Sequence, residues 1–143
     1  MDIIIGSDHA GFDLKERIKV FLYEENEFPV KDIGTFNKDP IDYPIIAHEA
    51  AKNISEKKFS RGILICGSGI GMSIVANKHR NIRAALCHNL YTVKFSRKHN
   101  DANILALGGR VLGVGLALEM VDLFLHTEFE GGRHKRRLDK IED

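Results

Sequence analysis

Tryptophan is absent, proline occurs three times, cysteine only twice, and no apolar run approaches the roughly 20 residues a membrane-spanning helix needs. Met1 leads directly into a short β-like run, with neither the basic flank nor the apolar stretch of an export signal, so a cytosolic location is expected. Two thiols, Cys66 and Cys87, in such a chain do not form a disulfide framework, and each needs its own explanation. Neither sign of charge prevails: 21 Lys and Arg face 20 Asp and Glu. No overall positive field is therefore available to hold a nucleic acid or an anionic membrane, and any anion must be bound locally. Internal repeats, low-complexity tracts and linkers are also missing. What is present, 143 residues of which 43% are apolar, is enough for one hydrophobic core, so a single domain over 1–143 is expected.

The apolar pattern alternates between strand and helix. Asp2 to Gly6 reads as a buried strand, and Phe12 to Glu25 carries Leu14, Ile18, Phe21 and Leu22 at helical spacing. Val30 to Ile33 is a second strand, and Asp42 can cap a helix from Tyr43 to Lys57 with Pro44 in its first turn. The continuous run Gly62 to Cys66 predicts a central strand buried on both faces, followed by a helix through Ser73, Ile74 and Ala76. Arg83 to Cys87 and Ile104 to Leu107 are further strands, separated by a helix of about ten residues from Asn89, and Val114 to Leu125 is the last helix. Five strands alternating with five helices imply right-handed crossovers and a three-layer α/β/α sandwich, a Rossmann-like, doubly wound, five-stranded parallel sheet. Ligands of such sheets lie beyond the carboxyl ends of the strands. The segments to inspect are therefore Ser7 to Gly11, Cys66 to Met72, His88 with Asn89, and Gly108 to Arg110.

Cys66-Gly67-Ser68-Gly69-Ile70-Gly71 places a thiol at a strand end, before a loop whose missing side chains free several N–H groups to converge on an anion. Such donors favour negative charge on sulfur and on oxyanions of a substrate, each good donor contributing about 3 kcal/mol in a preorganised site. Cys66 is thus a candidate base or nucleophile; the competing reading is a core thiol beside glycines that allow tight packing. Three rival motifs fail on spacing. A dinucleotide fingerprint and a cysteine phosphatase need Gly and Arg, respectively, at the position held by Met72, and no Gly-Lys-Ser/Thr follows for a nucleoside triphosphate. Asp8 and His9 should face the same crevice as acid, base or anion ligands, unless Asp8 merely caps a helix and His9 a turn. His99 ends a helix, where a histidine is also favoured by the dipole alone. Arg133 and Arg137, four residues apart, would share a face if the tail is helical and could clamp one phosphate; otherwise the segment is a solvated basic tail. His48, His79, His88 and His126 show no close ligand spacing, and no second cysteine accompanies Cys66, so no metal is expected. Cys87 reads as a packed thiol.

Together Gly-Ser-Asp-His-Ala-Gly at 6–11, Asp42-Tyr43-Pro44, Ile65 to Ser73, Ala76-Asn77-Lys78, Ser96 to Asn103 and Gly131-Gly132-Arg133-His134 resemble the type B ribose-5-phosphate isomerases, nearly end to end. The resemblance implies a homodimer, in some members assembled further, with sites at the subunit interface and no metal or coenzyme. It implies that Cys66 moves the proton between C1 and C2 of the open-chain sugar while amides around Gly67, Gly69, Ile70 and Gly71 hold the enediolate oxygens. Ser68, where many relatives carry Thr, would pass a proton between those oxygens. His99, with Asp8, would open the furanose ring, and Tyr43 and Asn100 would orient hydroxyls. His9, Arg133 and Arg137 would bind the phosphate, with Arg110 contributing across the dimer interface. Galactose-6-phosphate isomerase subunits share this fold, so a six-carbon substrate such as allose or galactose 6-phosphate is the competing expectation. A non-catalytic sugar-phosphate sensor is a more distant one.

Overall fold

The computed structural model describes residues 1–26 and 28–142. Five parallel strands, β1 (Ile3–Ser7), β2 (Val30–Asp32), β3 (Arg61–Cys66), β4 (Ala84–Leu86) and β5 (Ile104–Gly108), form one sheet in the order β2-β1-β3-β5-β4. Around it lie α1 (Phe12–Phe21), α2 (Tyr43–Ser55), α3 (Ile70–Ala76), α4 (Leu90–Lys98), α5 (Val114–His126) and α6 (Arg133–Leu138). The run Gly62 to Cys66 is the central strand, as its unbroken apolar character demands. Side-chain alternation divides the core in two. Ile3, Ile5, Ile63, Ile65, Leu105 and Leu107 face α1, α4 and α5, whereas Ile4, Leu64, Cys66, Ile104 and Ala106 face α2 and α3.

The differences from the sequence reading have local causes. β2 and β4 are three residues each, shorter than expected, because both are edge strands paired on one side only. The first helix is regular to Phe21 and then widens into a single π turn, Leu22–Asn26, which keeps Leu22 in the core while Tyr23 is exposed. Asp42 occupies the N-cap position of α2, but its side chain makes no capping bond; only its carbonyl accepts, from Ile45 N–H at 3.2 Å. A sixth helix appears where the basic tail stood. Among the described residues no helix is long and apolar enough to cross a membrane.

One feature of α1 escaped the periodicity argument. Lys15 is fully buried, its ammonium 2.6 Å from Asp32 Oδ2 and 3.0 Å from Glu16 Oε2, with the rings of Phe12 and Phe36 at 5.3 and 5.4 Å. Lys19 adds a second contact to Asp32 at 2.7 Å, and Asp32 Oδ1 accepts from Gly34 N–H at 2.8 Å. The network ties α1 to the end of β2, where the chain departs for the loop that delivers Tyr43. Burial alone would push the Asp32 carboxyl up; the hydrogen bonds from Lys15, Lys19 and Gly34 N–H outweigh it and hold the group below the ordinary aspartate value.

Removing Asp32 leaves the Lys15 ammonium buried with one partner fewer. Asp32→Ala is expected to destabilise the fold by about 3 kcal/mol, roughly 10 °C in thermal midpoint. Because the folded value lies below the unfolded one of about 3.9, the stabilisation is present above that pH and lost as pH falls through the depressed folded value. Thermal midpoints measured across that acid range should fall less steeply in Asp32→Ala than in the parent; equal slopes would contradict the assignment.

Candidate active site

Strand order reverses between β1 and β3, so the two chains leaving those strands diverge to opposite faces and open a crevice. Ser7 is in register with Ile65, which puts Asp8 and Cys66 side by side at its floor. The cleft measures 680 Å³ and is lined by Asp8, Tyr43, Cys66, Gly67, Ser68 and Gly71, with Ile70, Ile74, Arg110 and Val111 at its walls. Cys66 is only 4% exposed, yet it borders this open space, so it is not a sealed core thiol.

The loop after β3 is shaped around the sulfur. Gly69 N–H donates to Cys66 Sγ at 3.2 Å. Gly69 reaches that position with φ +81°, a left-handed conformation that costs a side-chain-bearing residue dearly. A Cβ there would also lie 2.9 Å from the Leu107 carbonyl carbon and 2.7 Å from Leu86. Ile70 N–H donates to Ser68 Oγ at 3.2 Å. Among the described residues the N–H groups of Gly67, Ser68 and Gly71 find no protein acceptor and remain available to a ligand. Since α3 is only two turns long, these individual amides, rather than a helix field, are what the loop offers.

Neighbouring elements complete the walls. Tyr43 is the first residue of α2 and Pro44 the second, where its fixed φ favours the helix start; the Tyr43 ring lies so close to Gly71 that a Cβ there would approach it to 2.6 Å. Arg110, which the resemblance implied would contribute across the dimer interface, lines the cleft of its own chain. Gly109 N–H and Arg110 N–H bond to the carbonyls of Cys66 (2.8 Å) and Gly67 (3.0 Å), and these bonds seat the β5 loop beside the thiol. Asp8 is buried and caps the turn His9–Gly11, its Oδ1 accepting from Ala10 and Gly11 N–H at 2.9 and 3.1 Å. It is therefore a cap that also faces the cleft. His9 is half-buried, and its Nδ1 accepts from Ile41 N–H at 3.2 Å, which leaves the Nε2 proton free to donate.

Six expected site residues do not line this cleft within one chain: Gly69, whose N–H meets Cys66 Sγ, His9, and the more distant His99, Asn100, Arg133 and Arg137. His99 caps the end of α4, stacked on His134; Arg133 and Arg137 are exposed on α6, which is helical as their shared-face reading required. Asn100 lines a different concavity of 610 Å³ beside β4, with Arg83 and the chain end, which contains no thiol. Of the strand-end segments, Asn89 serves as the cap of α4, accepting from Thr92 N–H at 2.8 Å. The sequence reading missed Ile74 and Val111; the signal for Ile74 was its position one turn after Ile70 on α3. It also missed two histidine pairings. His48 and His79 share a 2.7 Å hydrogen bond, and His99, Glu130 and His134 present ligand atoms within 4.8 Å of one another. The latter rings are stacked at 13° and 4.1 Å, so their in-plane lone pairs run parallel instead of converging on one ion.

A doubly wound parallel sheet with a strand-end thiol, open amides and a guanidinium at its switch point defines an α/β protein built for a small, oxygen-rich anionic ligand. The chain belongs to the Ribose/Galactose Isomerase family, whose model matches residues 3–141. It is similar to ribose-5-phosphate isomerase B of Escherichia coli, 45% identical over 97% of this chain and 93% of that one. It is likewise similar to the D-erythrulose-4-phosphate isomerase of Pectobacterium atrosepticum, 44% identical over 99% and 93%. The solved Clostridium thermocellum ribose-5-phosphate isomerase B superposes with a TM-score of 0.96 at 50% identity, over 99% and 95% of the two chains.

The two thiols should differ in access. Cys87 is 1% exposed, and burial pushes its thiol up despite contacts with Thr92 and Ser96. Iodoacetamide applied to the native protein should modify Cys66 and spare Cys87 until the chain is unfolded, as read by peptide mass. Preferential labelling of Cys87 would show that the cleft does not open onto Sγ.

Proposed function

We propose that the chain is a ribose-5-phosphate isomerase, interconverting D-ribose 5-phosphate and D-ribulose 5-phosphate in the cytoplasm as a pentose phosphate pathway enzyme, with residues 1–143 acting as one domain. The observation that carries the reading is Cys66 Sγ beside a loop of unpaired amides in an open cleft. Sγ takes the proton from C2 of the open-chain aldose. The C–H electron pair becomes the C1–C2 double bond, and the carbonyl pair moves onto O1. On this reading the amides of Gly67, Gly69, Ile70 and Gly71 hold that negative enediolate oxygen, those of Gly67 and Gly71 directly and those of Gly69 and Ile70 by turning from Cys66 Sγ and Ser68 Oγ, donors that strengthen as charge develops. Ser68 passes the O2 proton to O1, and Sγ returns its proton to C1. Proton transfer of this kind needs a base and oxyanion donors, and no coenzyme enters the scheme.

The remaining parts come from a second copy. One chain holds the base, and the same chain holds His99, Asn100, Arg133 and Arg137 elsewhere; a homodimer that lays the α4–α6 region of one protomer over the Cys66 cleft of its partner would complete two equal sites. The rim of the cleft supports this, since Ile70, Ile74 and Val111 are each about half exposed (49%, 57% and 56%) and await burial. His99, with Asp8, would then open the furanose, while Tyr43 and Asn100 orient hydroxyls. His9, Arg110, Arg133 and Arg137 would anchor the phosphate, which does not react, so that its binding energy places C1 and C2 against sulfur. A relative named for a four-carbon ketose phosphate adds erythrulose 4-phosphate to the substrates to compare.

Purified protein incubated with ribose 5-phosphate, allose 6-phosphate, galactose 6-phosphate or erythrulose 4-phosphate, with chelator present, should isomerise ribose 5-phosphate with the highest kcat/KM. Cys66→Ala should lower kcat by about 10²–10⁴-fold with the fold intact. Arg137→Ala should chiefly raise KM, by about 10–100-fold for a lost charge-assisted bond to phosphate. Near-parental turnover in Cys66→Ala would refute the role of the thiol.

A further inference from the structure

The basic helix α6 is tied beyond its C-terminal end, where Asn81 N–H donates to Glu142 Oε1 at 2.6 Å and Arg80 lies 3.9 Å from the same carboxylate, but its N-terminal end has little to hold it. Gly131 and Gly132 enter it with φ of +71° and +58°, and a Cβ on either would meet no atom within 4 Å, so the turn itself is packed against nothing. Arg133, Lys135, Arg136 and Arg137 are exposed, and the one buried side chain of the helix is His134, at 4%. Its ring lies face to face on His99, centroids 4.1 Å apart and planes 13° off parallel. His99 is in turn the last rung of an aromatic ladder at helical spacing on α4, with Phe95 at 4.7 Å and Tyr91 4.6 Å beyond it. Just ahead of the turn, Glu130 N–H donates to Lys98 O at 3.1 Å and pins the chain to the end of α4. His134 Nε2 is buried without a hydrogen-bond partner, with the Glu130 carboxylate 3.5 Å away, so the contact is made by the ring face.

We infer that His134 is a positioning residue: its ring, stacked on His99, seats α6 against the end of α4 and thereby sets the spacing between His99 and the Arg133–Arg137 pair. The inference rests on the reading of His99 as the ring-opening group and of the two arginines as the phosphate clamp. One stack then couples two functions, because a sugar held at its phosphate by α6 presents its ring oxygen to a histidine whose plane is fixed by α6. Charge agrees with geometry. Burial, then His99, Arg133 and Arg137, all disfavour a cation on His134, with Glu130 alone opposing, and a neutral ring is the one that can stack on a histidine without repulsion. Acid should therefore loosen the contact: the folded value lies below the unfolded value of about 6.5, so docking is retained above that pH and lost as pH falls through the folded value.

The test compares His134→Ala with His134→Phe, which keeps a flat ring and cannot ionise, in the full-length protein. For His134→Ala, the KM for ribose 5-phosphate should rise and kcat should fall, each by about tenfold, the scale of a misplacement of an ångström or less. The Glu130 amide should exchange hydrogen about tenfold faster as its bond to Lys98 opens more often. His134→Phe should restore slow exchange and most of the KM, and it should lose the acid weakening of binding. If His134→Ala does not fold, His134→Leu, which fills space without a stacking face, takes its place. Parental KM and parental exchange in the truncated variant would overturn the inference, as would a Phe variant as impaired as Ala in both. If the parent protein isomerised no sugar phosphate, the catalytic reading would fall by itself, while exchange at Glu130 would still decide whether His134 docks the helix.

Discussion

The structure turns on a 3.2 Å contact between one backbone N–H, that of Gly69, and one sulfur, that of Cys66. To make it, the chain must reverse within three residues of a buried central strand, and it does so through a left-handed glycine pressed beneath Leu107. The neighbouring amides of Gly67, Ser68 and Gly71 are left without protein acceptors by the same turn. An unpaired N–H is costly in a core but not at a strand end that opens to a cleft. Sheet topology supplies that opening, because the direction of winding changes between β1 and β3.

Rigidity around this contact comes from several surrounding layers. The β5 loop is bonded to the carbonyls of Cys66 and Gly67 and carries Arg110 with it. The Asp8 carboxylate is engaged in capping the turn after β1, so it faces the cleft in a fixed orientation. Further out, the buried Lys15–Asp32 pair secures the start of the loop leading to Tyr43. A buried pair of this kind adds less to net stability than its Coulomb attraction suggests, since both ions are desolvated. Its value lies in specifying one placement of β2 relative to α1.

By contrast, the parts read as ring-opening and phosphate-binding groups stand on the periphery, at the C-terminal end of α4 and on a six-residue helix. A short, basic, nearly unburied helix is marginal by itself. Its placement rests on a glycine turn, one backbone bond and one histidine stack at its start, and on Asn81 N–H donating to Glu142 Oε1 beyond its end. On the proposed reading, the protomer keeps its base and oxyanion donors preassembled and leaves the anchoring groups to the interface, so that assembly and catalysis are coupled.

Much of this was legible in the sequence. Short apolar runs and the 3.6-residue period located all five strands and the five longer helices, because burial on both sheet faces demands continuous apolar runs such as Gly62 to Cys66. Glycines at 67, 69 and 71 announced a loop that exposes its backbone, and four-residue spacing put Arg133 and Arg137 on one face. What pattern could not supply was partnership across elements. Nothing in the helical spacing of α1 singles out Lys15, whose partner Asp32 lies seventeen positions later and 2.6 Å away. That the β5 loop folds Arg110 into the cleft beside Cys66 is likewise a matter of loop placement, not of local spacing. His134 carried no sign of its role, since nothing in local spacing links it to His99, thirty-five residues away along the chain. Periodicity reports which face of an element is buried, a property of the element alone. Which side chain meets which is decided by strand order and helix docking, and these exist only once the whole sheet has formed.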